Sequence, residues 1–153
     1  MTPSRILLVR FSPTGHTRRV MRFLATGFAG SGLLVNELDV TDRYDREEAR
    51  SFNPDDLVFV GVPVYAGRVP RPMQDLSQWQ GNGAIAIPVV TYGSRAHEDA
   101  LRELAALLRT SGFKVPAGAA FPVEHSLFPE FGQGRPNDDD RYQIEHFAKD
   151  VLT

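Results

Sequence analysis

The sequence contains no cysteine among its 153 residues. This absence excludes disulfide bonds, thiol catalysis, iron–sulfur ligation and cysteine-built zinc sites within the chain. Any redox chemistry must therefore come from a bound cofactor. The sequence also lacks a large excess of charge of either sign, since its formal net charge is −2. That balance predicts no nucleic-acid partner and no attraction to an anionic membrane.

Long hydrophobic runs are absent as well. The first apolar run, Ile6 to Val9, is too short for a signal-peptide core or a membrane span, so we expect a cytoplasmic protein. Apolar residues make up 42% and charged residues 24% of the chain, as in ordinary globular proteins. The length predicts a single domain over residues 1–153. No metal site and no catalytic residue is predicted.

Short apolar runs predict strands that are buried on both faces, as in a parallel sheet. Three such runs are Ile6–Val9, Leu57–Val60 and Ala84–Val90. Two further segments, Leu33–Leu38 and Phe113–Phe121, predict edge strands, the first because it is mixed in polarity and the second because it contains a proline.

Helical patterns separate these strands. The predicted helices follow the first strand up to Gly30, cover Tyr44–Ala49, Pro72–Trp79 and Ala96–Arg109, and begin again near Asp138. Five strand–helix repeats predict an α/β fold in which helices cover both faces of a parallel sheet. With the first, third and fourth strands central, the strand order is 2-1-3-4-5.

The segment after the first strand has the composition of a phosphate loop. Ligands of a doubly wound sheet bind beyond the carboxyl ends of the strands. Hydroxyl groups, a glycine and the start of an amphipathic helix can together cage a phosphate with neutral donors. The candidate residues are Ser12, Pro13, Thr14, Gly15, His16 and Thr17. The same hydroxyl groups could instead only cap the helix, and we expect Arg18 and Arg19 to face solvent.

Two further loops follow the third and fourth predicted strands at the same edge. Each contains a tyrosine near a glycine, which suits a flat ring that needs aromatic contact and close backbone approach. A partly buried tyrosine without a ligand is the alternative for each. The candidate residues are Pro63, Val64, Tyr65, Ala66, Gly67 and Arg68 in the second loop, and Thr91, Tyr92, Gly93, Ser94 and Arg95 in the third.

These motifs resemble those of the flavodoxin family. Ser12-x-Thr14-Gly15-x-Thr17 is similar to the flavodoxin loop that binds the phosphate of flavin mononucleotide (FMN), with His16 where asparagine is usual. The segments Gly61–Pro70 and Tyr92–Leu101 resemble the flavodoxin-like domain that anaerobes fuse to a ferredoxin module. That family also has a late His-Ser and a Gly-Arg-Pro, which this chain carries as His125-Ser126 and Gly134-Arg135-Pro136.

The resemblance implies a flavodoxin-like three-layer sandwich that binds FMN and carries electrons. It implies that a flexible glycine turns a backbone carbonyl toward ring atom N5, with Gly67 the first candidate and Ala66 the second. The missing cysteine cluster means that a redox partner, such as a ferredoxin or a flavin reductase, would be a separate protein. Three arginines lie in or beside the flavin loops, namely Arg68, Arg71 and Arg95. If they act on the ring, they predict a second reduction potential less negative than in acidic flavodoxins; the alternative is that they face solvent or bind a partner.

Three other functions compete with the electron carrier. The first is an FMN-dependent NAD(P)H:acceptor reductase of the quinone type. The second is a flavin-free binding module, because a fold alone does not fix function. The third, a receiver-type signalling domain, needs acids that the sequence replaces with Arg10-Phe11-Ser12 and Pro63-Val64-Tyr65. The long segment Pro122–Asn137 has no assigned role.

Overall fold

The computed structural model describes residues 3–93, 97–124 and 134–153. Its strands are β1 (Arg5–Arg10), β2 (Leu34–Asp39), β3 (Arg50–Ser51), β4 (Asp56–Pro63), β5 (Trp79–Gln80), β6 (Ile85–Tyr92) and β7 (Ala119–Pro122). Its α-helices are α1 (His16–Gly27), α2 (Arg43–Glu47), α3 (Glu98–Thr110) and α4 (Asp138–Leu152).

Within these residues, five strands form one parallel sheet in the order β2-β1-β4-β6-β7. Counting only the strands of this sheet, the order is 2-1-3-4-5, which confirms the prediction. β1 lies between β2 and β4, with Ile6 opposite both Val35 and Leu57. The central strands β1, β4 and β6 are the continuous apolar runs, because only a fully covered strand has no solvent face.

The sheet has a hydrophobic core on each face, which makes three layers. On one face, α1 and α4 pack on alternate residues of the central strands, such as Ile6, Leu8 and Phe59. On the other face, α3 and the segment around β3 and β5 cover the intervening residues, such as Val58 and Val60. The alternation of side chains along a strand explains why one apolar run feeds both cores.

Helix α4 begins at a capping box. The Asn137 side chain accepts a hydrogen bond from the Asp140 amide at 3.0 Å, and the Asn137 amide donates to the Asp140 carboxylate at 2.9 Å. This reciprocal pair confirms the predicted start near Asp138. In the part of the chain that the structure describes, no helix has the length and apolar character needed to cross a membrane.

The predicted helix over Pro72–Trp79 is wrong. The structure has only a 3-10 turn at Arg71–Met73, and Trp79 belongs to the short strand β5, which pairs with β3. The Asp75 side chain accepts from the Ser77 amide at 3.0 Å, a local turn that competes with helix formation. The buried side chains Met73, Leu76 and Trp79 recur every third residue and mimic one face of a helix.

The predicted last strand is shorter than Phe113–Phe121. Only Ala119–Pro122 pairs regularly with β6, and earlier in the segment Lys114 forms one isolated bridge with Ile85. Pro116 lacks the N–H that continuous pairing requires, so the ladder resumes only beyond it.

Candidate functional site

The structure brings the first two predicted loops and the described part of the third to one edge of the sheet. Arg10, Pro63 and Tyr92 end the neighbouring strands β1, β4 and β6. The loops stay in contact beyond the ladder, since the Val64 amide donates to the Thr91 carbonyl at 2.9 Å. Convergence at the carboxyl edge is the geometry in which doubly wound sheets bind ligands.

The first loop, which the sequence predicts to bind phosphate, turns into α1 at Gly15. Gly15 is the N-cap residue and has a φ of 89°, in the left-handed region that favours glycine. The Ser12 hydroxyl caps the helix from outside by accepting a hydrogen bond from the Arg18 amide at 2.9 Å. The hydrogen bond from Arg18 shows that the Ser12 hydroxyl caps the helix, as one of the two interpretations predicted. The Ser12 amide in turn donates to the Thr41 hydroxyl at 2.9 Å.

Three consecutive backbone amides at this turn find no acceptor in the part of the chain that the structure describes. Among the described residues, the N–H groups of Gly15, His16 and Thr17 donate to none. A left-handed residue followed by a helix start aims such groups at one point, which suits an anion. The backbone of this turn therefore offers donors to an anion without the help of a capping side chain.

The Thr17 hydroxyl points into the protein and not toward the loop's open side. Thr17 is 1% exposed, and its hydroxyl shares a 2.8 Å hydrogen bond with the hydroxyl of Thr91, which is also 1% exposed. This bond joins the start of α1 to the end of β6. Pro13 and Thr14 are exposed at the tip of the loop, and His16 is half-buried.

The second loop is a tight type I′ turn. Tyr65 and Arg68 exchange two backbone hydrogen bonds of 2.9 Å, and the two residues between them, Ala66 and Gly67, have φ values of 50° and 78°. Consecutive positive φ values define this turn type. The Tyr65 side chain is 40% exposed. Burial raises the pKa of the Tyr65 phenol, so the ring is uncharged at neutral pH.

A carboxylate from α3 holds this turn in place. Glu103 accepts hydrogen bonds from the Arg68 guanidinium at 3.1 Å and from the Val69 amide at 2.8 Å. The hydrogen bond from Arg68 lowers the pKa of Glu103 despite partial burial, so the carboxylate is ionised at neutral pH. The charge of Arg68 is therefore compensated by a neighbour.

Tyr92, in the third loop, contacts the ring of His97. Its ring stacks on that of His97 with centroids 4.3 Å apart. Arg135 forms an ion pair with Asp140 at 2.6 Å, which raises the pKa of the guanidinium, and Tyr92 raises that pKa to a smaller extent. Gly93 is half-buried beside Tyr92. The predicted residues Ser94 and Arg95, and also His125, lie outside the described residues.

Sequence reasoning missed residues that support these loops. Thr41 follows β2 at the same edge, and the general rule for strand ends would have included it. Glu103 carries no such signal, because it lies within a helix and 35 positions from Arg68. Asp140 was visible only as one of three acids at a helix start.

The strand order and the loops at the carboxyl edge define a flavodoxin-like fold, and solved structures agree. A flavodoxin from the domain Archaea superposes with a TM-score of 0.65 at 17% identity, covering 96% of this chain and 95% of that one. The two-electron reduced flavodoxin of Megasphaera elsdenii superposes with a TM-score of 0.60 at 15% identity, covering 94% of this chain and 98% of that one.

Part of a larger protein has a similar fold. The flavodiiron core of Flv1 from Synechocystis superposes with a TM-score of 0.67 at 16% identity, covering 97% of this chain but 35% of that chain. No protein-family model matches the sequence, and no curated protein matches it. At these identities the likeness shows the fold, and the function must be argued from the site.

Proposed function

We propose that the chain binds FMN at the edge formed by the three loops and transfers electrons between redox partners. The observation that carries the proposal is the set of three amides, at Gly15, His16 and Thr17, which have no acceptor among the described residues. Unpaired backbone donors at a left-handed turn suit a phosphate group. The similar solved structures named as flavodoxins support the choice of FMN among phosphorylated ligands.

The phosphate would lie against the first loop. The proposed contacts come from Ser12, Pro13, Thr14, Gly15, His16 and Thr17. Backbone amides would supply the main donors, since the Thr17 hydroxyl already bonds to Thr91. The Ser12 hydroxyl accepts from Arg18, and its own hydrogen can still be donated to a phosphate oxygen.

The flavin ring would lie between the second and third loops. The proposed contacts are Pro63, Val64, Tyr65, Ala66, Gly67 and Arg68 from one side and Thr91, Tyr92, Gly93, Ser94 and Arg95 from the other. Tyr65 offers an exposed and uncharged aromatic face. Bound FMN supplies the electron chemistry, while the chain's residues bind the ring, orient it and limit its contact with water.

The assignment of a carbonyl to ring atom N5 stays a prediction for Gly67 and Ala66. In the type I′ turn, the Ala66 carbonyl belongs to the peptide between the two central residues. The Gly67 carbonyl belongs to the next peptide, whose Arg68 amide donates to the Tyr65 carbonyl. The partner, a ferredoxin or a flavin reductase, and the cytoplasmic location are also proposals from the sequence. The fused-domain resemblance supports a ferredoxin, because a chain without cysteine cannot hold an iron–sulfur cluster on thiolates.

Titration of the purified chain with FMN tests the proposal. We expect quenching of flavin fluorescence, a shifted visible spectrum and a one-to-one complex. Adding NADPH to the complex then separates a carrier from a reductase, since a carrier should not oxidise it without a partner enzyme. Absence of any complex with FMN would contradict the proposal, and rapid NADPH oxidation would favour the reductase.

A further inference from the structure

Arg18 borders the phosphate loop more closely than the sequence predicts. It is exposed, as expected, but its Nη2 atom lies 3.7 Å from the point where a Cβ would stand on Gly15. Its backbone amide donates to the Ser12 hydroxyl at 2.9 Å. The guanidinium and the three unpaired amides therefore flank the same turn.

Among the residues that the structure describes, the Arg18 guanidinium has no anionic partner of its own. In residues 3–93, 97–124 and 134–153, its side chain forms no ion pair and donates no hydrogen bond. The charge of Arg18 contributes to lowering the pKa of Asp39, after hydrogen bonds from Thr41 and the charge of Arg10. That carboxylate already accepts from the Thr41 amide at 2.9 Å and lies 3.7 Å from Arg10. Arg18 thus retains its donors for a ligand.

We propose that Arg18 is a specificity residue that binds the phosphate monoester of the flavin and selects FMN over riboflavin. The inference rests on the proposed function, and it changes the expected chemistry of the site. A cage of neutral donors would give weak dependence on salt, whereas a guanidinium attracts a dianion and is screened by ions. Arginine also offers planar paired donors that match phosphate oxygens.

The adjacent Arg19 provides a matched control. It lies on the same helix with the same charge, but its guanidinium sits over the Phe23 ring at 5.6 Å. The variants are Arg18→Gln, Arg18→Lys and Arg19→Gln, each titrated with FMN and with riboflavin at low and high salt. Comparing the two ligands isolates the phosphate, because riboflavin carries the same ring and ribityl chain.

We expect Arg18→Gln to weaken FMN binding about tenfold or more, as for loss of a charge-assisted hydrogen bond. Riboflavin affinity should stay within about twofold, and the salt dependence of FMN binding should flatten. Arg18→Lys should recover part of the FMN affinity, since it keeps the charge but loses the planar fork. Arg19→Gln should behave like the original chain with both ligands.

Inorganic phosphate gives a second readout that needs no flavin. It should raise the melting temperature of the original chain and of Arg19→Gln more than that of Arg18→Gln. Equal FMN affinity, or equal stabilisation by phosphate, in Arg18→Gln and the original chain would overturn the role of Arg18 and leave FMN binding intact. If the original chain bound no FMN at all, the proposed function would fall and the inference with it.

Discussion

At the scale of single residues, Ala66 has a backbone conformation that does not suit its type. Its φ is 50°, and Ala66 and Asn82 are the non-glycine residues with positive φ in the described part of the chain. For an L-residue other than glycine, this region brings Cβ close to the carbonyl oxygen. The turn therefore carries strain at a position where it adjoins the proposed flavin site, and such strain is often found at functional sites.

Replacing Ala66 with glycine should stabilise the protein by about 1 kcal/mol, because glycine adopts the left-handed region without that contact. Ala106→Gly is the control, since Ala106 is exposed within α3 and should lose about 1 kcal/mol through helix propensity. Urea unfolding of both variants measures the difference. A loss of stability in Ala66→Gly similar to that in Ala106→Gly would contradict the left-handed assignment.

Asp56 anchors the start of β4 with a buried charge. It is 2% exposed, and its carboxylate accepts from Arg5 at 2.8 and 3.1 Å and from the Asn53 amide at 2.9 Å. Burial alone would raise the pKa of Asp56, but the hydrogen bonds and the charge of Arg5 outweigh it and lower the pKa. Ionised Asp56 therefore stabilises the folded state.

Asp56→Asn should reduce the free energy of unfolding by about 3 kcal/mol at pH 7, as for breaking a buried ion pair. Because the folded-state pKa is lowered, the stabilisation is complete above the unfolded value of about 3.9 and is lost as the pH falls through the folded value. The difference between the original chain and the variant should therefore narrow below about pH 4. The exposed neighbour Asp55 is the control, and Asp55→Asn should change the free energy of unfolding little at pH 7.

At the scale of elements, α3 controls the charge of the second loop through Glu103. Because Glu103 neutralises Arg68, the arginine alone does not make the loop cationic. Arg68→Ala should leave an uncompensated carboxylate and lower the reduction potentials of bound FMN by tens of millivolts. Glu103→Gln should raise them, and the double variant should lie near the original protein. Potentiometric titration checks this, and an unchanged potential in both single variants would show that the pair is too far from the ring.

The contact between α1 and β4 positions the phosphate loop. A Cβ on Gly61 would lie 2.6 Å from the Met21 sulfur and 3.1 Å from Thr17 Cγ2. Gly61→Ala should therefore push the start of α1 away from the sheet, reduce the free energy of unfolding by about 2 kcal/mol and weaken FMN binding.

Gly27→Ala is the matched control for this effect. A Cβ on Gly27 would lie 2.7 Å from the Glu145 carbonyl oxygen, at the far end of the same helix. It should also destabilise the fold, but FMN affinity should hardly change, because the phosphate loop is a helix length away. Isothermal titration of both variants separates the two effects. Equal affinity losses would mean that stability, and not loop position, governs binding.

Helices and strands could be predicted from the sequence where a local pattern of apolar residues was sufficient to define them. The central strands are continuous apolar runs, and α3 and α4 begin near the predicted residues. The pair β3 and β5 could not be predicted, because two-residue strands have no period and Trp79 finds its partner Arg50 only in the folded chain. The buried residues Met73, Leu76 and Trp79 have a spacing that is compatible with a helix, but the hydrogen bond from the Ser77 amide to Asp75 forms a local turn instead.

At the scale of the whole molecule, the sequence predicted the loops but not their connections. The carboxyl-edge rule placed Gly15, Tyr65 and Tyr92 together without any contact information. The bonds that fix their relative positions join distant residues, such as Thr17 and Thr91, which are 74 positions apart. A hydroxyl pair of this kind leaves no local pattern. Thr17 was therefore predicted as a phosphate donor, while the structure gives its hydroxyl a partner inside the protein.

Ligand binding at this edge should stabilise the entire fold. The three loops extend from the central strands and are joined by bonds such as that from Val64 to Thr91, so a ligand held by all three binds only the folded chain. At a free FMN concentration 100 times the dissociation constant, the gain is about 2.7 kcal/mol. For a domain of this size that corresponds to roughly 5–10 °C in melting temperature.

Thermal unfolding monitored by far-UV circular dichroism measures this shift directly. The increase should follow the logarithm of FMN concentration above the dissociation constant, because the free energy gained is RT ln(1 + [L]/Kd). Riboflavin should give a smaller increase at the same concentration, since it lacks the phosphate that Gly15, His16 and Thr17 would bind. A melting temperature that does not respond to FMN would mean that the three loops do not form one binding site.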